Sequence, residues 1–363
     1  MQAKKTNHFK VILSIAKKDT VQAIKDKTTL GVIIGVMLLV LPSQLLPLIL
    51  QNESTPQAII FSPDPSPLAK QLAEMDNTSA RQVNSLDKVE DEIVSGRSLI
   101  IGLVLPEGWT ENPEDDSAVI INAYLPHWTS AVDASRLVNH FEDKISSIMD
   151  REVRIMVVDD QVHPDENTRG FEVMFILQII NATMTITLVL GPQLIMVEKE
   201  THTLDALMVS PANYSDIIIG KGLAASFYGV LGASIVILLN TLYIVHWWLL
   251  IFVVISGIIL TVLIGLVLGL KFDNFQQGTL ILSLLVFLIL GPAFIKLILT
   301  VNLPPILETI LNWLPSGQMA DLTLMSLMKT VNLNAAMIGL ATLWVSIGLL
   351  IGLIAWQIRK EMR

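Results

Sequence analysis

The feature that most constrains this chain is a set of long segments without a single Asp, Glu, Lys or Arg. These segments are residues 28–52, 173–197, 222–270, 274–295 and 330–358. Each exceeds the roughly 20 apolar residues that cross the hydrocarbon core of a bilayer. The mean hydropathy of the whole chain is +0.60, and only 16% of its residues are charged, against about 25% in globular proteins. The chain is therefore predicted to be a membrane protein that crosses the bilayer several times.

The longest uncharged segment predicts two spans rather than one. As a single helix, residues 222–270 would be about 74 Å long at 1.5 Å per residue, more than twice the bilayer core. Two tryptophans in Val245–Trp248 favour a turn at the membrane interface there. The predicted fold class is an α-helical polytopic membrane protein with six transmembrane helices and an inserted external α/β domain.

Charge asymmetry predicts the orientation of the chain. Residues 51–170 hold 22 acidic and 9 basic residues, whereas the first 27 residues hold seven lysines and two aspartates. The positive-inside rule places the N-terminus in the cytoplasm and residues 51–170 outside. With six spans, the basic C-terminal segment Arg359–Arg363 is also cytoplasmic. The acidic balance belongs to the external part and does not indicate a nucleic-acid partner.

The N-terminal part divides into a helix and a span. Residues 1–29 have apolar side chains at helical spacing, including Phe9, Ile12 and Ala16, with lysines elsewhere on the wheel. Such a basic amphipathic helix is typical of segments that lie among lipid headgroups; the alternative is a solvated basic tail. Residues 30–50 are the first transmembrane helix, long enough to act as an uncleaved anchor.

Residues 51–170 are predicted to fold as an extracytoplasmic α/β domain. Strand-like runs bounded by Pro, Gly or acidic residues occur at 58–61, 99–105, 118–124 and 153–158, and helical patterns occur at 67–75, 86–95 and 130–150. Residues 171–363 hold transmembrane helices 2–6, with a cytoplasmic hairpin at 197–216 and an external segment at 300–334. Its apolar stretches, 306–314 and 319–328, are too short to cross and predict re-entrant or interfacial helices. Lys296, beside it, is expected to snorkel to the interface.

The sequence contains no recognisable catalytic motif. A phosphate-binding loop needs G-x-x-x-x-G-K-[ST], and around Gly220-Lys221 the first glycine is replaced by Ser215 and the hydroxyl residue by Gly222. The chain is therefore predicted not to be an enzyme. No catalytic residue, cofactor or metal ligand is assigned to it.

The hairpin at 197–216 is too short for a catalytic domain but long enough to present one small helix. Glu198, Lys199 and Glu200 mark the exit from the membrane, and Thr201 or Thr203 is a candidate N-cap. Leu204, Leu207 and Met208 then form one apolar stripe at i, i+3, i+4 spacing. The stripe fits equally well into a groove of a partner protein or against the inner headgroups.

Neutral polar residues interrupt the predicted spans. They are Gln178, Asn181, Thr185 and Asn240. Such side chains hydrogen-bond between membrane helices, which we favour over the alternative that they line a path for a substrate. The spans carry no Asp or Glu, which argues against a proton-coupled carrier.

Two motifs and the layout resemble a known family. The run from Glu198 to Lys221, E-K-E-x-x-T-L-D-A-L-M-V-S-P…I-I-x-G-K, resembles the loop after the second span of ABC type-2 transporter permeases. Ile101–Trp109, I-G-L-V-L-P-E-G-W, resembles a strand of the external domain of these permeases. The layout, with a large external domain between the first two spans, is closest to that of sodium- and drug-export permeases.

This resemblance implies the transmembrane subunit of an ATP-binding-cassette exporter in a prokaryotic cell (plasma) membrane. Two ATPase subunits, which bind ATP and magnesium themselves, would energise it, and it would pair with a second permease, identical or related. Glu198–Met208 would be the region that contacts the ATPase, and sodium, drugs or lipids are the expected substrates. The alternative is a mechanical transmitter or scaffold that acts on an envelope partner without solute transport.

Overall fold

The computed structural model describes residues 8–25, 55–63, 67–96, 99–107, 119–158, 161–165, 171–201, 213–272, 275–298 and 304–361, with isolated positions between 27 and 38. Within these residues the chain forms an N-terminal helix, an α/β unit and a bundle of apolar helices. The first predicted span, 30–50, lies almost entirely outside the described residues.

The α/β unit is built on a five-stranded sheet. The strands are β1 (Gln57–Phe61), β2 (Ser79–Val83), β3 (Ile100–Val104), β4 (Val119–Tyr124) and β5 (Val153–Val157), and the helices between them are α2 (Leu68–Ala73), α3 (Leu86–Ser95) and α4 (Ala131–Met149). The strand order is β2-β1-β3-β4-β5. The β3–β4 pair is antiparallel and the other three pairs are parallel. Four of these strands coincide with the predicted runs.

Helices cover both faces of this sheet, because successive residues of the central strands β1 and β3 are apolar and buried. On one face, Leu72 of α2 and Phe141 of α4 are fully buried against Ile60 and Ile101. On the other face, Val89 and Ile93 of α3 pack beside β1 and β3. Gly102 allows this close approach, because a Cβ atom there would lie 2.4 Å from a methyl group of Val89.

The bundle contains seven described helices. They are α5 (Phe171–Glu200), α6 (Tyr214–Leu239), α7 (Trp247–Lys271), α8 (Phe275–Ile298), α9 (Pro305–Trp313), α10 (Pro315–Met325) and α11 (Leu333–Glu361). Four of them, α5, α6, α7 and α11, are long and apolar enough to cross a membrane, and α8 has a shorter apolar segment at Ile281–Leu297. The turn between the third and fourth predicted spans lies at 240–246, because α7 already begins at Trp247.

Helix α5 is the centre of the bundle and packs against α6, α7, α8 and α10. Helix α5 continues through Gly191-Pro192 to Glu200, although proline removes a helical hydrogen bond. Gly191 lies directly against Gly265 of α7, where a Cβ atom on either glycine would contact the facing helix. The small residues thus serve close helix packing, as is common in membranes.

The segment after α8 contains the two short helices α9 and α10, as the apolar stretches predicted. The break falls at Leu314-Pro315, so that α10 begins four residues earlier than its predicted apolar stretch. The ammonium of Lys296 pairs with the carboxylate of Asp321 in α10 and donates to Asn312 Oδ1 at 2.6 Å. Its position relative to the membrane interface stays a prediction.

Candidate coupling site

The end of α5, the start of α6 and the N-terminal helix α1 (His8–Lys25) meet at one place, and a buried lysine lies at its centre. Lys221 is 1% exposed. Its ammonium lies 3.1 Å from Asp19 Oδ2 of α1 and 2.8 Å from Glu198 Oε2 of α5. It also donates to the carbonyl of Leu194 at 2.7 Å. We name Asp19, Glu198 and Lys221 the ion cluster.

The charges of the ion cluster balance once its rim is included. Lys18 of α1 places its ammonium 3.6 Å from Glu198 Oε1, so two lysines face two carboxylates. Burial raises the pKa of the Asp19 carboxyl above its ordinary value, and the Lys221 ammonium opposes this rise. A buried charge is tolerated only when it is paired and hydrogen-bonded in this way. The cluster therefore requires all three helices to be in place.

Small residues and backbone contacts bring α1 close enough to α6 for these ion pairs. A Cβ atom on Gly220 would lie 2.8 Å from a methyl group of Ile15 and 3.2 Å from the carbonyl oxygen of Ile12. Further along α6, the Tyr228 hydroxyl donates to the carbonyl of Thr20. Gly220-Lys221 does not complete a phosphate-binding motif. It is instead the point at which α1 packs on α6.

The start of α6 is held by a second pair. Asn213 is the N-cap residue, and its backbone N–H donates to Asp216 Oδ2 at 3.0 Å. The same carboxylate oxygen lies 2.8 Å from Nδ1 of His8 in α1. An acidic residue in the first turn also interacts favourably with the helix dipole. Helix α1 therefore contacts α6 from its first residue to its last turn.

The predicted coupling residues fall into four groups. Glu198 belongs to the ion cluster. Lys199 points to the end of α7, where its ammonium donates to the carbonyls of Leu270 at 2.7 Å and Phe272 at 3.4 Å. Glu200 is exposed at the end of α5. Thr203, Leu204, Leu207 and Met208 lie outside the described residues.

Three of the four predicted polar residues of the spans, Asn181, Thr185 and Asn240, make hydrogen bonds within their own helices. The Thr185 hydroxyl donates to Asn181 Oδ1 at 2.6 Å, and Asn240 Nδ2 donates to the carbonyl of Val236 at 2.8 Å. Gln178 is buried in α5. Sequence reasoning missed the contact between helices, a 2.6 Å hydrogen bond that joins the hydroxyls of Thr187 in α5 and Thr261 in α7.

Sequence reasoning also missed Asp19 and Lys221 as functional candidates. A lysine two helical turns into a transmembrane helix was a usable signal, because an ionisable residue within a span requires a partner. The partner itself could not be inferred, since it is 202 positions away in the chain.

A second junction joins the α/β unit to the bundle. His127, just after β4, lies with Nε2 3.0 Å from the carbonyl oxygen of Tyr243, between α6 and α7. The Trp128 and Tyr243 rings are 5.1 Å apart, and the His163 ring stacks on His127 at 4.5 Å. Burial lowers the pKa of His127 to about 4. At neutral pH this imidazole is therefore uncharged and donates its Nε2 proton to Tyr243.

Comparison with known families agrees with these observations. The family model described as ABC-2 family transporter protein matches residues 27–356, which include the α/β unit and nearly all of the bundle. Comparison with curated proteins and with solved structures returned no match. Because the family model spans most of the chain, this protein is a transmembrane permease that belongs to the ABC-2 transporter family.

Proposed function

We propose that the chain is the permease subunit of an ABC exporter, energised by separate ATPase subunits that bind the hairpin between α5 and α6. Family membership supports the permease role. The observation that carries the coupling role is the ion cluster. Glu198 is two residues from the end of α5, and Lys221 lies eight positions into α6. A force applied to the hairpin therefore reaches α5, α6 and α1 together.

The proposed topology has six spans, with both termini and the hairpin in the cytoplasm and the α/β unit outside. The basic N-terminus and the acidic α/β unit support this orientation. Helix α1 exposes Phe9, Leu13 and Ile24 opposite the face that packs on α6, which suits contact with headgroups. The complete complex contains two permeases, identical or related, and two ATPase subunits that bind ATP and magnesium. Sodium, a drug or a lipid is the proposed substrate.

Co-purification with the ATPase tests the proposal. A Leu207→Asp substitution places a charge in the apolar stripe of the hairpin, and Val209→Asp adds the same charge off the stripe. We expect Leu207→Asp to abolish ATPase binding and permease-dependent ATP hydrolysis, with membrane insertion unchanged. Val209→Asp should retain both. Equal ATPase binding by the two variants would refute the assignment of the stripe.

The alternative function, transmission of movement to an envelope partner, has one supporting observation. The α/β unit is joined to the loop between α6 and α7 through His127 and Trp128, so movement of α6 can reach it. A solute that stimulates ATP hydrolysis by the reconstituted complex favours transport. Stimulation by an envelope protein alone favours transmission.

A further inference from the structure

An apolar groove runs between α6 and α11 and is floored by α7. Its volume is about 360 Å³. Helix α6 contributes Ser215, Gly222 and Ser226 to its wall, and α11 contributes Ile351, Ala355 and Ile358. The Ser226 hydroxyl donates to the carbonyl of Gly222 within its own helix at 2.8 Å, so it leaves no unsatisfied group in the groove. The lining is therefore suited to hydrocarbon.

The length and the lining of the groove fit an extended hydrocarbon chain. Ser215 and Ser226 are eleven residues apart, or about 16 Å along α6. Over this length the lining consists almost entirely of apolar side chains from three helices.

The position of the groove matches one leaflet of the bilayer. One end is lined by Ser215 and Ile358, near the ends of α6 and α11 that the proposed topology places in the cytoplasm. The groove then extends inward by about 16 Å, roughly half of the 30 Å hydrocarbon core. This assignment to the inner leaflet rests on the topology in the proposed function.

Helix α1 and the groove lie on opposite sides of α6. Helix α1, which leads into the first predicted span, packs on Asp216, Gly220 and Lys221. Ser215, Gly222 and Ser226 lie on the opposite side of α6. They are seven and four positions apart, and such residues share one face of a helix with 3.6 residues per turn. Helix α1 therefore lies on the side of α6 away from the groove.

The charge at the cytoplasmic end of the groove selects the headgroup. Arg359 follows the lining residue Ile358 and is exposed, and Lys360 and Arg363 come after it. Basic residues at the cytoplasmic surface attract anionic lipids. We propose that an anionic phospholipid of the inner leaflet binds here, with one acyl chain in the groove and its phosphate beside Arg359. It would bridge α6, next to the hairpin, and α11, which do not pack directly on each other along the groove.

Lipid retention by the purified full-length permease tests this site without any ATPase. The protein is equilibrated in vesicles of equal phosphatidylglycerol and phosphatidylcholine, extracted, and analysed by native mass spectrometry. We expect preferential retention of phosphatidylglycerol. Ala355→Phe, which fills the groove, should reduce it at least fivefold, and Arg359→Gln should remove the headgroup preference. Val345→Phe, on an exposed part of α11 outside the groove, should change neither.

Two further measurements distinguish the outcomes. Ser226→Leu fills the groove from α6 and replaces Ala355→Phe if that variant does not fold. A photo-crosslinking residue at position 355 should label lipid; labelling of the first span or of a second permease would overturn the proposal. Undiminished retention in the filled variants, or equal retention of phosphatidylcholine by the wild type, would also overturn it. Failure of ATPase binding would instead contradict only the proposed function.

Discussion

Lys221 and Asp19 are 202 positions apart in the chain, yet their side chains form an ion pair of 3.1 Å that is almost completely shielded from solvent. Glu198 binds the same ammonium from a third helix. The pairing fixes the N-terminal helix to the two helices that flank the hairpin. A partner that moves the hairpin must therefore move α1 as well, or separate three charges that are costly to leave unpaired.

Removal of the lysine should be more damaging than removal of the whole ion cluster. Lys221→Met leaves the buried Asp19 carboxylate without its ion-pair partner and Glu198 with Lys18 alone, which costs about 3–5 kcal/mol of stability. The triple variant Asp19→Asn, Glu198→Gln, Lys221→Met leaves no such charge and should recover at least half of the loss. Unfolding in detergent, followed by heat or denaturant, measures both. Lys17→Met, an exposed lysine of α1, is the control, and an equal loss in the single and triple variants would contradict the prediction.

The addition of one methyl group at Gly220 should push α1 away from α6. Gly220→Ala places a Cβ atom 2.8 Å from the Ile15 side chain and 3.2 Å from a backbone carbonyl oxygen, so about 1–3 kcal/mol of overpacking is expected. Gly348→Ala in α11 meets no atom within 4 Å and should have the opposite sign, because alanine is the better helix former by about 1 kcal/mol. The unfolding midpoints of the two variants test the difference. A stabilised Gly220→Ala protein would mean that α1 does not pack here.

The long elements were predictable from the sequence because their signals are local. The uncharged segment 173–197 predicts a helix, and α5 covers 171–200. Short strand-like runs bounded by Pro, Gly or acidic residues predict β1, β3, β4 and β5. Strand β2 was missed, because Ser79, Arg81 and Gln82 make this edge strand look like a polar loop. Its pairing with β1 depends on contacts that are distant in the chain.

The candidate site was only partly predictable for the same reason. The motif that ends at Gly220-Lys221 identified the hairpin and the helix after it. The identity of the partners of Lys221 depends on how α1 lies across α6, which side-chain spacing within one segment does not encode. Lys199 illustrates the same limit, since its contacts are backbone carbonyls at the end of α7.

Two glutamates at the end of α5 should have separable effects. Glu198 is buried in the ion cluster, so Glu198→Gln should lower stability by about 2 kcal/mol through the loss of a charged hydrogen-bond partner. Glu200 is exposed, and Glu200→Lys should leave stability within about 0.5 kcal/mol while it lowers permease-dependent ATP hydrolysis. Unfolding and ATPase assays on the same preparations compare the two. If neither variant lowers permease-dependent ATP hydrolysis, the ATPase contact lies elsewhere.

The junction at His127 should make stability depend on acidity. Burial lowers the pKa of this imidazole to about 4, whereas its ordinary value is about 6.5, so between these values the unfolded chain binds more protons than the folded one. Stability is therefore retained above pH 6.5 and falls as the pH decreases from 6.5 to 4. His127→Gln, which keeps an amide donor for the Tyr243 carbonyl, should show a smaller decrease over this range than the wild type. The unfolding midpoints of both proteins, measured between pH 7.5 and 4.5, test this prediction. Parallel curves of midpoint against pH would show that His127 can still be protonated in the folded protein.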